Sequence, residues 1–449
     1  PLGLLYIASF LRNIGYDISF IDCLDKYCGD NTGVKLKKYG TGHFNREIIA
    51  KPEILSHIPR PYARYGISED HFIDRLKEQR NAGAILVTSL MTYWYPGVKR
   101  VVEICRQYLP GIPVVLGGIY ASLMPGHARK VIKPDFLVEG PGELKVLDIL
   151  NRIPGLDKAD INRPNNLDDY PYPAFDLINH PDYLIIMTAR GCPYNCTFCA
   201  QKLIAMRFTQ RDPDKVVEEF RFHFNEYGIA DFAFYDDALF IGKARHINVI
   251  LDKLIESNLP LRLHSPNGLF ANSIDAHLAD LMYRSNFKTI RLSFETSNEN
   301  RRKDMYSKVS NAGMIRAVEH LKAAGFNTAD LEAYVLMGLP DQTLEEVLAS
   351  IVFVNSLGVK VRLASFSPIP GTVEYDRAVE SGFIRKNIDP LLTNNSIFPL
   401  NGGQINFELY QKIKALTNRL NRSAQEKSLP FLKESPEKAV VSLMGEIYD

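Results

Sequence analysis

The sequence predicts an α/β protein in which an open parallel-sheet domain precedes a partial (β/α)6 barrel and a small, mostly helical C-terminal region. Three observations support this fold class. Apolar strands alternate with helical periodicity in the first third of the chain, a proline-rich stretch follows, and strand–helix units then recur about every 25 to 35 residues. We expect a first domain at 1–153, a linker at 154–182, the barrel at 183–375 and a C-terminal cap at 376–449.

Composition excludes several classes of protein. The chain has 449 residues, 46% of them apolar and 23% charged, with a net charge of +1, so a nucleic-acid partner is not expected. No apolar run reaches the roughly 20 residues of a spanning helix, and no secretory signal is visible. Six cysteines in a chain of this length do not indicate a disulfide scaffold, which favours a reducing, cytoplasmic compartment. Because the chain starts at Pro1, an upstream segment is expected to be missing.

The first domain is predicted to be Rossmann-like. A helix with inward Leu4 and Leu11 ends at Gly15, a short strand runs from Ile18 to Asp22, and an apolar strand runs from Ala84 to Ser89. The remaining elements are a helix over 96–109, a strand over 113–116, a helix from about 121 and a strand over 135–138. Residues 29–80 are interpreted as an insertion that caps the ligand edge.

Ligands of such sheets bind beyond the carboxyl ends of the strands. Paired glycines at that edge let a ligand approach the backbone closely. The residues at this predicted edge are Asp22, the segment Ser89–Tyr95, Gly117-Gly118 and Glu139-Gly140-Pro141-Gly142-Glu143.

The barrel prediction has six strand–helix units. Strands are expected at 183–188, 232–235, 261–265, 289–294, 331–337 and 360–366, and helices at 212–227, 244–257, 273–285, 310–324, 343–357 and 372–381. Barrel enzymes place their chemistry at the carboxyl ends of the strands. The groups expected there are the cysteine loop, Asp236-Asp237, Asn267-Gly268, Glu295-Thr296-Ser297, Gly338-Leu339-Pro340 and Pro368–Thr372.

Three of the six cysteines, Cys192, Cys196 and Cys199, fall within eight residues after the first barrel strand, in the spacing CxxxCxxC. Three thiolates from one loop can hold three corners of a cubane iron–sulfur cluster and leave one iron open. Zinc usually takes four protein ligands, or three with at least one histidine. No histidine lies between His180 and His223, which counts against zinc. The cysteine loop is therefore interpreted as an iron–sulfur site.

This loop, with Phe198 directly before the last cysteine, resembles the cluster motif of the radical S-adenosylmethionine (radical SAM) enzymes. The resemblance implies a 4Fe–4S cluster whose open iron chelates S-adenosylmethionine (SAM), which is split on reduction to a 5′-deoxyadenosyl radical. By the same resemblance the SAM-binding residues are Phe198, Asp236, Asp237, Glu295, Leu339 and Pro340. Asp237 could instead cap a turn, and Asn267 could be a plain turn residue.

The first domain resembles the cobalamin-binding domain that precedes the barrel in one class of radical SAM enzymes. The resemblance depends on Pro1–Ala8, Val115–Ala121 and Glu139–Glu143. The residues that it implies as cobalamin contacts are Leu4, Asp22, Ser89, Met91, Thr92, Tyr93, Trp94, Gly117, Gly118, Glu139, Gly140 and Gly142. The DxHxxG motif that supplies a cobalt-ligating histidine in other cobalamin proteins is absent from the sequence. The loop from Met91 to Trp94 is then the expected neighbour of the lower cobalt face, unless it only packs the entry of the next helix.

The expected function is that of a cobalamin-dependent radical SAM enzyme, most simply a methyltransferase. Its expected substrate is an unactivated carbon of a small molecule or peptide. The resemblance implies an electron donor of the flavodoxin or ferredoxin type, and the near-zero net charge with no spanning apolar run predicts no membrane partner. Three alternatives stay open: radical rearrangement or cyclisation, a radical SAM enzyme whose first domain no longer binds cobalamin, and a cluster protein without turnover. No further catalytic side chain is predicted.

Overall fold

The computed structural model describes residues 2–28, 38–156, 163–205, 207–397, 407–425 and 436–448. Residues 29–37 of the predicted insertion, with Lys35 and Lys37, lie outside the described residues, as do 398–406 of the C-terminal region. The chain divides into two compact units, the first formed by 1–184 with 203–206 and the second by 185–202 with 207–449. None of the described helices combines the length and the apolar character that a bilayer crossing requires.

The first unit is an α/β domain whose elements follow the predicted alternation. Its helices and strands are, in chain order, α1 (Leu2–Asn13), β1 (Arg46–Ile48), β2 (Ala63–Tyr65), α2 (Glu69–Lys77), β3 (Ile85–Ser89), α3 (Tyr95–Tyr108), β4 (Val114–Gly118), α4 (Ile119–Leu123), α5 (Pro125–Val131), β5 (Phe136–Leu137) and α6 (Glu143–Leu150). Gly15 has a φ of 89°, which suits its predicted place after α1.

A parallel sheet in the order β3-β4-β5 forms the centre of the described part of this unit. Two apolar clusters cover it. One joins α1 and α6 through Phe10, Leu11 and Leu147, and the other joins α3 and α4 to the face of β4 through Val102 and Tyr120. The sheet therefore has helices packed on both faces, as a strand as apolar as β4 requires.

The prediction of a strand from Ile18 to Asp22 is wrong. Among the described residues this segment pairs with no neighbouring strand. Ile18 still packs against the core beside α1. The Asp22 carboxylate accepts a hydrogen bond from the backbone N–H of Leu24 at 3.0 Å. This local turn competes with sheet pairing, as aspartate side chains commonly do.

The stretch interpreted as an insertion also contributes to the core. β1 and β2 pair antiparallel, and α2 follows with its first turn capped by Ser68. Phe72 and Leu76 of α2 pack with Ile104 and Cys105 of α3 in one buried cluster. Within 29–80, α2 is thus a covering helix of the sheet and not part of a solvated cap.

The linker segment packs on the first unit. The backbone N–H of Ala174 donates to Leu5 O at 3.2 Å, and the ring of Tyr170 meets Phe10 edge-on. Arg12 donates to Asp176 at 2.6 and 3.0 Å. These contacts bind the proline-rich chain along α1.

The second unit contains the barrel elements. Its helices and strands are β6 (Leu184–Ile186, which starts at the boundary), β7 (Ala189–Arg190), α7 (Gln201–Ile204), β8 (Thr209–Gln210), α8 (Pro213–Tyr227), β9 (Asp231–Phe234), α9 (Ile247–Glu256), β10 (Arg262–Phe270), α10 (Ala276–Arg284), β11 (Phe287–Glu295), α11 (Glu299–Asp304), α12 (Asn311–Ala323), β12 (Leu331–Met337), α13 (Leu344–Ser356), β13 (Lys360–Ser365), α14 (Val373–Glu380), α15 (Phe407–Gln425) and α16 (Pro436–Tyr448).

Within the described ranges, six strands form one sheet in the order β13-β12-β11-β10-β9-β6, which is the chain order reversed. Neighbouring strands from β9 to β13 pair in parallel. Each strand except β6 is preceded by a helix, and alternate residues such as Leu331, Ala333 and Val335 are buried. This is the partial barrel that the repeat length predicted.

The third strand is longer than predicted and contains an irregularity. β10 continues to Phe270, and its register against β11 shifts between Ser265 and Leu269. Asn267 and Gly268 therefore lie inside the strand and not after its end. The shift has the character of a β-bulge, which re-aims side chains near active sites.

The C-terminal helices pack on the β13 side of the sheet. Asn421 of α15 accepts from the Val361 N–H at 2.7 Å and donates to Val361 O at 2.9 Å. It also accepts from Asn355 of α13 at 3.0 Å. These bonds satisfy backbone groups of an edge strand that would otherwise be open.

Candidate cofactor sites

The cysteine loop is closed at its base by two short strands. β7 and β8 pair antiparallel through Ala189–Gln210 and Arg190–Thr209, so the chain between them returns on itself. Gly191 starts the loop with a φ of 81°, and a Cβ there would lie 2.7 Å from Arg207 O. Only glycine fits this left-handed, crowded position.

Thr197, in the middle of the loop, is tied to two other parts of the barrel. Its N–H donates to Met305 O at 3.2 Å, and its carbonyl accepts from the N–H of Glu374 at 3.2 Å. Its hydroxyl donates to the buried Glu374 carboxylate at 2.7 Å. The backbone between the second and third cysteines is therefore fixed to the start of α14.

The three thiols differ in exposure. Cys192 is buried, Cys196 is half-buried and Cys199 is exposed. Burial raises the pKa of Cys196 to about 11 and also raises that of Cys199. The thiol of Cys196 donates to Tyr306 O at 3.8 Å.

This donor set fits a cluster held by three thiolates. All three thiols lie on this one loop, in which the backbone N–H of Cys199 donates to Cys196 O at 3.1 Å. Among the described residues, no three His, Cys, Asp or Glu side chains already stand close enough to hold a single metal ion. The thiols would have to turn towards one another on ligation, which rotation about Cα–Cβ permits.

The surroundings of the loop are apolar on two sides. Cys192 packs with Ala238 and Phe270, and Phe198 packs against a cluster that includes Leu339 and Met305. Pro340 is also buried. The predicted SAM contacts Phe198 and Leu339 thus lie together, in a setting suited to an apolar or aromatic ligand face.

Asp236 lies at the end of β9 but points into the protein. It is 4% exposed, and its carboxylate accepts from the N–H of Thr188 at 3.0 Å and from its hydroxyl at 2.7 Å. Burial raises the pKa of Asp236 to about 7, against the effect of these bonds. Asp236 therefore fixes, through Thr188, the position of the chain that leads into the cysteine loop.

Asn267, in the irregular part of β10, helps to hold Asp236 in place. Its side-chain amide donates to Tyr235 O at 3.0 Å and to Asp236 O at 3.3 Å. It is thus more than a plain turn residue, because it joins the ends of β9 and β10.

Asp237 has a different partner. It is half-buried and accepts a hydrogen bond from the side-chain amide of Gln201, which lies two residues after Cys199. Burial raises the pKa of Asp237 to about 6, while Gln201 and Lys308 oppose that rise. Within the described residues this side chain caps no turn; it faces the cysteine loop.

Glu295 ends β11 in an unusual backbone conformation. Its φ is 65°, which is uncommon for a residue with a Cβ and often marks a functional site. The carboxylate accepts from the Ser307 hydroxyl at 2.8 Å. Burial raises the pKa of Glu295, against the effects of Ser307, Lys308 and Arg302. Ser307 directly follows Tyr306, whose carbonyl accepts from the Cys196 thiol, so Glu295 and the cysteine loop share one site.

A pocket of about 570 Å³ lies beside this site. It is lined by Tyr194 of the cysteine loop, Asn272 after β10, and Arg302, Ser307 and Lys308 before α12. Its volume is that of a typical ligand site.

The first unit has its own candidate ligand edge. Gly118 has a φ of 89°, and a Cβ there would lie 2.4 Å from the hydroxyl of Thr88 and 2.7 Å from Ser89 O. The hydroxyl of Ser122 donates to Gly118 O and accepts from the N–H of Gly140, each at 2.8 Å. The glycine-bearing loops after β4 and β5 are thus joined.

The loop after β3 leaves apolar surface uncovered at the same edge. Thr92 is buried, whereas Met91 is 41% and Trp94 45% exposed. Ser89 bonds the loop through Met91 O at 3.2 Å. The turn from Thr92 to Trp94 leads directly into α3. The loop therefore forms the entry of this helix and also exposes an apolar face. Such a face beside close-approach glycines fits a large planar ligand such as a corrin.

The remaining predicted cobalamin contacts are dispersed. Leu4 is half-buried on α1, and Gly142 caps the start of α6. Glu139 pairs with Arg129 at 2.8 Å, and Asp22 lies in its own local turn.

Sequence reasoning missed several residues of the barrel site. They are Thr188, Thr197, Gln201, Ser307, Lys308 and Glu374. Most are single polar residues outside any motif. Ser307 and Lys308 could have been considered from the sequence, because they follow β11 and the carboxyl ends of the barrel strands were already predicted to form the site.

The fold and the site define a class of enzyme: a parallel-sheet domain followed by a partial barrel with three thiols at the mouth of its first strand. A profile of the radical SAM superfamily matches residues 186–354, and a profile of the B12 binding domain matches residues 62–150. The chain therefore combines a B12-binding domain with a radical SAM domain, which is the domain combination of the cobalamin-dependent radical SAM enzymes. The predicted fold class, enzyme class and cofactors (a 4Fe–4S cluster, SAM and cobalamin) are confirmed.

Two curated relatives and one solved structure illustrate the likeness. An uncharacterised methyltransferase of Pyrococcus horikoshii is 27% identical over 429 residues, which are 87% of this chain and 83% of the relative. An anaerobic magnesium-protoporphyrin IX monomethyl ester cyclase of Cereibacter sphaeroides is 25% identical over 227 residues, 43% of this chain and 36% of the relative. The radical SAM methyltransferase TsrM of Kitasatospora setae, solved with cobalamin and a [4Fe-4S] cluster, matches with a TM-score of 0.56 and 19% identity over 70% of each chain.

Proposed function

We propose that this enzyme methylates an unactivated carbon of a small-molecule or peptide substrate. The observation that carries the proposal is the presence of both cofactor domains in one chain whose extent matches that of a relative named as a methyltransferase. When bound, the cofactors supply one-electron cleavage of SAM and a methyl carrier. The contribution of the chain is to bind, to orient and to exclude water.

Cys192, Cys196 and Cys199 would hold the cluster, and the carboxylate of Glu295 would accept a hydrogen bond from a SAM hydroxyl. Its left-handed backbone and its bond to Ser307 fix the direction of that carboxylate before any ligand arrives. Pre-oriented acceptors cost little to organise on binding. Phe198, Leu339 and Pro340 would supply the apolar wall for the same ligand.

Asp236 and Asp237 have different proposed roles. Asp237 faces the cysteine loop and would take the amino end of SAM. Asp236 is saturated by Thr188, so we assign it the positioning of the loop and not a direct contact with the ligand.

Cobalamin would be held at the edge formed by the loops after β3, β4 and β5. Gly117, Gly118, Gly140 and Gly142 allow close approach of its polar periphery, and Met91 and Trp94 offer exposed apolar surface. Leu4, Asp22, Ser89, Thr92, Tyr93 and Glu139 complete the proposed set.

The electron would come from a small carrier of the flavodoxin or ferredoxin type. An oxygen-sensitive cluster with free thiols needs a reducing compartment, so we propose that the enzyme works in the cytoplasm. Both statements follow from the cofactor chemistry.

The decisive experiment uses SAM labelled in its methyl group, with the reconstituted enzyme under anaerobic reducing conditions and extracts or candidate substrates. Label in a carbon-bound methyl group of the product supports methylation. Release of 5′-deoxyadenosine with an unlabelled, rearranged or cyclised product supports the rival function, which the likeness to the cyclase favours.

A second rival is an enzyme that has lost cobalamin binding. Anaerobic reconstitution with hydroxocobalamin followed by gel filtration tests it. A corrinoid spectrum that co-elutes with the protein supports the proposal, and a protein peak without corrinoid absorbance rejects it.

A further inference from the structure

Lys308 has a restricted position beside the cysteine loop. It lies between α11 and α12, and its Nζ is 3.8 Å from the Cys192 sulfur. The same ammonium lies 3.7 Å from the ring centre of Phe270 and 4.2 Å from that of Tyr194. Two aromatic faces attract a cation and limit its movement. The sulfur is therefore the polar group at which this half-buried ammonium is directed.

The charge of Lys308 acts on four acidic groups of the site. It lowers the pKa of Asp237 and Glu295 and opposes the burial effect on Cys196 and Cys199. In the part of the chain that the structure describes, no carboxylate oxygen lies within 4.0 Å of its Nζ. Among the described residues the ammonium is therefore not neutralised by an ion pair and keeps its contact with the Cys192 sulfur.

We propose that Lys308 is a positioning residue for the cluster: it donates a charge-assisted N–H···S hydrogen bond to the Cys192 sulfur and raises the reduction potential. Hydrogen bonds to the sulfurs and the net charge nearby are among the factors that set such potentials. Reduction adds one electron and no proton, so a fixed cation stabilises the reduced form more than the oxidised one. The proposal concerns electron uptake and holds whether the product is methylated or cyclised.

The test is an anaerobic redox titration of the reconstituted enzyme without SAM, followed by the electron paramagnetic resonance signal of the reduced cluster. Lys308→Met removes the charge and is expected to lower the ratio of reduced to oxidised cluster at least tenfold at fixed potential. For a one-electron couple this is about 59 mV. Lys308→Arg keeps the charge but spreads it, and its potential is expected to lie between those of wild type and Lys308→Met.

Lys303→Met is the matched control, because Lys303 is exposed on α11 nearby and solvent screens its charge. It is expected to shift the ratio by less than twofold. Iron and sulfide content per chain, measured for each variant, establishes that the cluster is assembled.

An unchanged reduction potential in Lys308→Met would overturn the proposal. Weaker SAM binding in the same variant would then assign the ammonium to the carboxylate of the ligand. An equal shift in Lys303→Met would also overturn it, since a bulk charge effect would then suffice. If Lys308→Met does not assemble a cluster, Lys308→Gln replaces it with the same expectation. If neither neutral variant does, a potential of Lys308→Arg at or above that of wild type overturns the proposal, and a lower one supports it.

Discussion

The hydroxyl of Thr197 donates to the carboxylate of Glu374 at 2.7 Å, and the backbone N–H of Glu374 donates to Thr197 O at 3.2 Å. Both side chains are at most 3% exposed. This reciprocal pair joins the cysteine loop at the first strand to the helix after the last strand. It gives the loop a support that is 177 residues away in the sequence.

Thr197→Val is expected to destabilise the protein by about 1–3 kcal/mol, because it leaves a buried carboxylate oxygen with only Arg377. Iron content after reconstitution should fall with it. Thermal unfolding of Thr197→Val, Glu374→Gln and the double variant measures the coupling. Additive effects would contradict a direct interaction.

Asp236→Asn should change how stability depends on pH. The folded pKa of about 7 is above the ordinary 3.8 of this carboxyl, so the native state keeps a proton that the unfolded state loses. The stabilisation is complete below about pH 4 and is lost as the pH rises through about 7, with a slope of at most about 1.4 kcal/mol per pH unit. The variant cannot titrate, so its stability should fall less over this window. Unfolding midpoints from pH 4.5 to 8 measure the difference, and parallel curves for the two proteins would reject it.

Glu295→Gln is expected to weaken SAM binding about 10- to 100-fold, as loss of a hydrogen bond to a charged acceptor implies. The cluster should assemble normally. Ser307→Ala, which only releases the carboxylate from its bond, should have a smaller effect. Equilibrium binding of SAM to the reconstituted protein measures both variants. Equal affinity in wild type and Glu295→Gln would remove Glu295 from the proposed site.

Gly118→Ala should destabilise the first unit and abolish cobalamin binding, because its φ of 89° and ψ of −171° are accessible to glycine almost alone. A Cβ would also overlap Thr88 and Ser89. Gly111→Ala is the control: its φ is 85°, but no atom lies within 4 Å of the added carbon. We expect about 1 kcal/mol for the control and about 1–3 kcal/mol more for Gly118→Ala. Corrinoid absorbance and unfolding midpoints check this, and equal losses in the two variants would contradict the steric argument.

Cys196→Ala should remove the cluster and all SAM cleavage, since two thiolates cannot hold the cubane at three corners. Cys105→Ala is the matched control, because Cys105 is buried in the apolar cluster between α2 and α3. It should keep its iron content. Iron analysis and 5′-deoxyadenosine formation under dithionite measure both variants. Retained cleavage in Cys196→Ala would reject the cluster assignment.

Local sequence pattern was sufficient for the elements that bury a regular face. The barrel strands and helices follow from apolar alternation and helical spacing, and the ends of most of them lie within a few residues of the predicted positions. The strand at Ile18–Asp22 was wrong because pairing depends on which neighbour is available, which no local pattern contains. The extension of β10 through Asn267 was missed because a bulge lets polar and glycine residues remain inside a strand.

The sequence alone determined the kind of chemistry, because CxxxCxxC is a local constellation whose three thiols must lie together wherever the chain goes. The tertiary structure decided what surrounds those thiols. Lys308, Glu374 and Asp236 come from strands and loops that are distant in the sequence, and side chains of such common types carry no signal until the fold brings them within hydrogen-bonding range. It also separated Asp236 from Asp237, since adjacent residues at a strand end point in opposite directions and only the packing around them decides which is buried as a brace and which faces the cysteine loop.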